Sequence, residues 1–106
     1  MTPEGKVKEK VKQLLVRNNC YYFFPMQNGL GRTGIPDIIG CIPTVITEDM
    51  VGKTMGLFIG VETKAPGRLA NVTPNQEREL KAIADKGGIA VLADDVRIVE
   101  EALQKI

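Results

Sequence analysis

The chain has no histidine and no tryptophan, only two cysteines, and aromatic residues make up 5% of its 106 positions. Without histidine, Ser–His and Cys–His nucleophilic machinery, histidine-bearing zinc sites and imidazole acid–base catalysis are all excluded together. Any chemistry must run on carboxylates, lysines and hard metal ions. Cys20 and Cys41 lie in apolar surroundings without CxxC spacing, which reads as buried reduced thiols and not as metal ligands or a redox pair. No apolar run approaches the roughly 20 residues of a membrane span, and the basic N-terminal segment lacks the apolar stretch and cleavage site of a signal peptide. The expectation is a cytoplasmic protein with no membrane partner. Net charge is also nearly absent, at +1, but the two ends differ. Lys6, Lys8, Lys10, Lys12 and Arg17 outweigh Glu4 and Glu9 at the start, whereas acids outnumber cations from Asp85 onward. A basic end can face a polyanion, although a charge run on a helix is more often just a solvated face.

What is present suits one ordinary globular domain over residues 1–106: 43% hydrophobic and 25% charged residues at a length typical of a single core. Thr2 as N-cap and Pro3 in the first turn open a helix, on which Val7, Val11, Leu14 and Leu15 recur at helical spacing up to Asn18. Residues 20–24 read as a short strand closed by Pro25, and residues 27–34 as a glycine-rich loop. Strands are expected over 35–42 and 57–64, joined as a long antiparallel hairpin by the polar connection 43–56. After a loop over 65–72, the T-x-x-Q sequence at Thr73–Gln76 predicts a capping box and a helix to Lys86, stopped by Gly87 and Gly88. A buried strand over 89–93 and a last amphipathic helix carrying Val96, Val99, Leu103 and Ile106 complete the chain. The order α-β-β-β-α-β-α, three meandering strands followed by a helix and a fourth strand, implies a mixed four-stranded sheet flanked by helices, its last strand parallel to the third.

Gly29, Gly31 and Gly34 satisfy the GxGxxG pattern, but a strand and not a helix leaves it. The helix N-terminus that would hold a pyrophosphate is missing, so the pattern indicates a tight loop carrying Arg32, with no nucleotide cofactor. A stronger constellation joins Pro36-Asp37 to Glu62-Thr63-Lys64. Strand alternation puts Glu62 and Lys64 on one face, about 7 Å apart. In an antiparallel hairpin Asp37 would stand beside Glu62, and two adjacent carboxylates without histidine or thiolate select a hard cation, Mg²⁺ or Mn²⁺. The alternative is a surface Glu62–Lys64 salt bridge with Asp37 capping a turn. The end of an apolar strand has no structural use for three polar residues, which argues for a site.

Helical phase adds two members. Glu4 falls on the stripe of Val7 and Val11 and is expected to point inward, whereas Glu9 lies opposite; Gln76 falls with Leu80 and Ile83, and Arg78 faces away. The capping box alone would account for Gln76, and favourable placement of an acid at a helix N-terminus for Glu4. Arg32 and Arg68 sit on loops adjoining the candidate metal-ligand strands and are candidates for bidentate phosphate contacts, or else solvated loop charges.

The pattern Gly34-Ile35-Pro36-Asp37, then Glu62-Thr63-Lys64-Ala65-Pro66-Gly67, then Thr73-Pro74-Asn75-Gln76 resembles the PD-(D/E)xK nuclease signature, and in its finer detail the VRR-NUC domain, the virus-type replication-repair nuclease. The long segment 43–56 departs from minimal members, which have a tight hairpin there. The resemblance implies a restriction-endonuclease-like αβββαβ core and a metal-dependent DNA endonuclease. Asp37, Glu62 and the Thr63 carbonyl would ligate Mg²⁺ or Mn²⁺, with Glu4 completing the set. Lys64 would orient and help deprotonate the attacking water, and Gln76 would hold Lys64 or that water. The resemblance further implies a homodimer acting on branched DNA such as Holliday junctions, in DNA repair, of phage or bacterial origin. Competing functions are a non-catalytic nucleic-acid-binding module that kept the fold and a nucleotide-binding α/β protein; the carboxylates speak against the first, because binding alone favours cations near phosphates.

Overall fold

The computed structural model describes residues 1–26 and 34–106. Arg32 and most of the glycine-rich loop, with its GxGxxG pattern, lie outside the described residues. The chain divides into two compact units, Met1–Pro43 and Thr44–Ile106. Together their described residues form a mixed α/β protein with three α-helices and two small sheets.

In the first unit, helix α1 runs over Pro3–Arg17, with the Thr2 hydroxyl accepting from Gly5 N at 2.9 Å as an N-cap. Strand β1 (Tyr21–Phe23) pairs antiparallel with β2 (Ile39–Cys41), with Tyr22 opposite Gly40. Cys20 and Cys41 are buried free thiols, as their surroundings imply. α1 packs on β1, but none of its residues is buried, and Val7 is 61% and Leu14 49% exposed.

The second unit builds a tighter layer. Strand β3 (Ile59–Thr63) lies parallel to β4 (Ile89–Ala93), Ile59 opposite Ile89 and Thr63 opposite Ala93. Between them runs α2 (Pro74–Asp85), and after them α3 (Val96–Gln104), capped by the Asp95 carboxylate on Arg97 N. α2 begins with both halves of the predicted capping box, Gln76 N to the Thr73 hydroxyl and Thr73 N to Gln76 Oε1. It ends with Gly87 N donating to Ala84 O and Gly88 N to Ile83 O, the paired bonds of a Schellman motif. α2 packs on both strands and α3 on β4. The core is Ile83, Val91 and Ala93, each 7% exposed or less. Ile83 fills the space that two glycines leave: a Cβ on Gly60 would stand 2.6 Å from Ile83 Cδ1, and one on Gly88 2.7 Å from its Cγ2.

Two expectations are corrected. The strand expected over 35–42 is only Ile39–Cys41; its antiparallel ladder with β1 is the first pairing of the expected meander, and the ladders among the described residues make two two-stranded sheets, β1–β2 and β3–β4. A period-two pattern marks a strand without naming its partner, and β4, apolar along its whole length, answers Ile59 and Val61 with Ile89 and Val91. The expected parallel pairing of the third and fourth strands is found. The second correction concerns burial of helix stripes. Val7, Val11 and Leu14 are exposed, and Glu4 with them, while Glu9 on the opposite side is half-buried. On α3, Val96, Leu103 and Ile106 are exposed and Ile98, Val99 and Ala102 are half-buried. Helical phase says which residues share a face; the strand beneath decides which face is covered.

Candidate active site

Period-two alternation along β3 places Gly60 and Glu62 on one face, and Lys64 continues that parity one residue beyond the strand. The Gly60–Ile83 contact puts α2 over this face. The helix N-terminus thereby comes to the end of β3: Glu62, Asn75, Gln76, Leu80 and Ile83 line one cleft of about 250 Å³. The predicted shared face of Gln76, Leu80 and Ile83 is the face that lines it, and Arg78 is exposed as expected.

Lys64 Nζ lies 3.5 Å from Glu62 Oε1, with side chains 16% and 31% exposed. A half-buried ion pair is screened less by salt than one in open solvent, so the ammonium keeps its field at Glu62. The backbone of Lys64 is fixed separately, its N–H donating to Ala93 O at 2.9 Å and prolonging the β3–β4 ladder past Thr63. Gln76 serves its helix cap through Oε1, and its Nε2 has no hydrogen-bond partner among the described residues. One amide can thus cap the helix and still present donors to a neighbour.

The candidate residues divide between the units. Glu62, Thr63, Lys64 and Gln76 stand together at the end of β3 and the start of α2. Asp37 and Glu4 belong to the first unit, both exposed, with Asp37 in the bend that precedes β2. Among the described residues no three His, Cys, Asp or Glu side chains are grouped to hold a metal ion. The donors that the sequence offers are nonetheless all oxygens, which fits a hard divalent ion. Arg68 is exposed, next to a turn that the sequence reading passed over. There Gly67 N donates to Asp94 Oδ2 at 2.8 Å across 27 residues of chain. Nothing in the local sequence around Asp94 signals this bond, since its donor is a backbone N–H.

The acid–lysine pair, whose acid shares a cleft with a glutamine on the next helix, agrees with a wider match: residues 8–96 fit the family model of the VRR-NUC domain. The chain belongs to the VRR-NUC family. No curated protein and no solved structure matches it. The VRR-NUC match spans Asp37, Glu62, Thr63, Lys64 and Gln76 and begins after Glu4. Membership in the VRR-NUC family gives the chain a nuclease-type function, hydrolytic and directed at DNA, and nucleases of this kind typically use divalent metals. No helix among the described residues is long and apolar enough to cross a membrane.

Proposed function

We propose that this VRR-NUC domain is a Mg²⁺- or Mn²⁺-dependent DNA endonuclease, selective for branched DNA such as Holliday junctions and acting as a homodimer. The observation that carries the reading is the half-buried Glu62–Lys64 pair at the end of β3, whose Glu62 lines the cleft that also holds Gln76. Asp37, Glu62 and the Thr63 carbonyl would hold the ion, with Glu4 completing the set directly or through water. When bound, such an ion supplies Lewis-acid stabilisation of phosphate charge and lowers the pKa of a nearby water. Lys64, as the ammonium of its pair with Glu62, would orient that water beside the scissile phosphorus, help its deprotonation by lowering its pKa so that the proton passes to solvent, and offset the negative charge on the phosphate oxygens as one P–O ester bond breaks and the leaving oxygen takes a proton from solvent. The Gln76 amide holds Lys64 or the water in place. Two sites in a symmetric dimer nick two strands of a junction symmetrically.

The four-stranded sheet is part of this proposal. In that sheet β2 would run antiparallel to β3, which would bring Asp37 to Glu62. Ile59 and Val61, about 40% exposed, give β3 an apolar face that a wider sheet and its helices would cover. Arg32 and Arg68 would contact phosphates. The test is cleavage of duplex, flap, splayed and four-way DNA with and without Mn²⁺. Metal-dependent cutting of the branched substrates is expected, and binding without cutting would assign the domain to non-catalytic DNA recognition.

A further inference from the structure

The turn after Lys64 is held by a carboxylate to which the proposed reaction gives no part. Residues 65–68 form a β-turn closed by Arg68 N donating to Ala65 O at 2.9 Å. Pro66 is its second residue and Gly67, at φ +77°, its third. Proline excludes the turns that need a positive φ at the second position, so the turn is type II. In a type II turn the third residue's N–H takes no part in the closing hydrogen bond. Here that N–H is the group that Asp94 Oδ2 accepts from. Asp94 follows Ala93, whose carbonyl accepts the Lys64 N–H. Two ties therefore join the end of β3 to the end of β4: one between backbones at Lys64, the other from backbone to carboxylate at Gly67. Arg68 leaves the turn directly after the second. Asp95 has a different task, capping α3 through Arg97 N at 2.9 Å.

We propose that Asp94 is a positioning residue for DNA binding: its carboxylate anchors the type II turn, and the anchored turn sets where the Arg68 guanidinium meets a phosphate. The proposal rests on the nuclease reading and on a phosphate contact by Arg68. A turn tied only at Lys64 can swing about that residue. The second tie removes this freedom at folding, so that less order has to be imposed when DNA binds. An aspartate beside a DNA-facing turn has the wrong charge to raise affinity directly, which leaves its acceptor oxygen as the useful property. That distinction makes Asp94→Asn and Asp94→Ala diverge.

The experiment measures binding of a four-way junction across a salt series without added divalent metal, together with hydrogen exchange at the Gly67 amide. Asp94→Ala is expected to weaken binding about tenfold, the worth of one hydrogen bond to a charged group. It should flatten the salt dependence by about one unit of slope, as loss of one phosphate contact does. Asp94→Asn should bind as tightly as the natural protein or more so. The Asp94→Ala/Arg68→Ala double variant should bind no more weakly than Arg68→Ala alone, which a general loss of stability would not produce. Gly67 exchange should accelerate in Asp94→Ala and not in Arg68→Ala. Unchanged affinity in Asp94→Ala, additive losses in the double variant, or equal Gly67 exchange in all proteins would each overturn the role of Asp94 while leaving the nuclease reading intact. A natural protein that binds no DNA would overturn both, and the exchange data would then describe the turn alone.

Discussion

The two units show what separates a segment that merely folds from one that also packs. In the second unit each element touches another: α2 packs on β3 and β4, α3 on β4, and Ile83 occupies the gap left by Gly60 and Gly88. In the first, α1 has a threonine N-cap followed by proline, as α2 has, and its own apolar stripe, yet contains no buried residue. Both helices start from a Thr-Pro signal, and α2 adds the second half of a capping box. Burial differs because a β-α-β crossover returns its helix to the sheet it left, whereas α1 meets a ladder of three residue pairs. The chemistry follows the same division. The crossover brings Gln76 into one cleft with Glu62, the partner of Lys64, and Asp37 and Glu4 belong to the first unit.

The contrast can be broken first at the site. Glu62→Gln and Lys64→Ala should each lower cleavage at least about a hundredfold without unfolding the protein, given what metal and electrostatic groups supply. Asp37→Asn should do the same if the first unit contributes to the reaction. A folded Asp37→Asn that cuts normally would confine the chemistry to the second unit. Next comes packing. Ile83→Ala should cost about 2–3 kcal/mol in urea unfolding, as large-to-small core changes do, while Val11→Ala on the exposed stripe should cost less than about 1 kcal/mol. Equal losses would mean that α1 is buried as deeply as α2.

A smaller effect is expected from Glu4→Gln, which should weaken Mn²⁺ binding by calorimetry about tenfold if Glu4 holds the ion through a water. Glu9→Gln should leave it unchanged, and equal effects would show that the stripe of Val7 and Val11 does not select the residue facing the metal. Smallest are the caps. Thr2→Ala and Thr73→Ala should each cost about 1 kcal/mol, and to a similar degree, because a cap acts within its own first turn whatever lies beneath the helix. A much larger loss in Thr73→Ala would trace to Gln76, whose amide serves both the cap and the cleft.

The helices were legible almost residue by residue, since Thr2-Pro3, Thr73-Pro74-Asn75-Gln76 and Gly87-Gly88 act on backbone groups three to five positions away. β4 was legible over its full span as an apolar run between glycines and aspartates. Placing Glu62 and Lys64 on one face needed only the two-residue repeat of a strand. The antiparallel ladder of β1 and β2 follows from the meander order of three consecutive strands; the short span of β2 was not legible, because an apolar run over 35–42 does not say where its backbone bonding begins. Nor was the role of Asp94 legible, because its partner is a turn N–H that any residue but proline could supply.

The sequence by itself determined where helices begin and end, which side chains share a face, and that any reaction must use carboxylates and a lysine without histidine. These are properties of the local backbone repeat and of composition. Only the tertiary structure decided which faces are covered, that Ile83 enters between two glycines to bring Gln76 to Glu62, and that Asp94 anchors the turn before Arg68. Ile83 meets Gly60, and Asp94 meets Gly67, across more than twenty residues of chain, a closeness in space that no local pattern encodes.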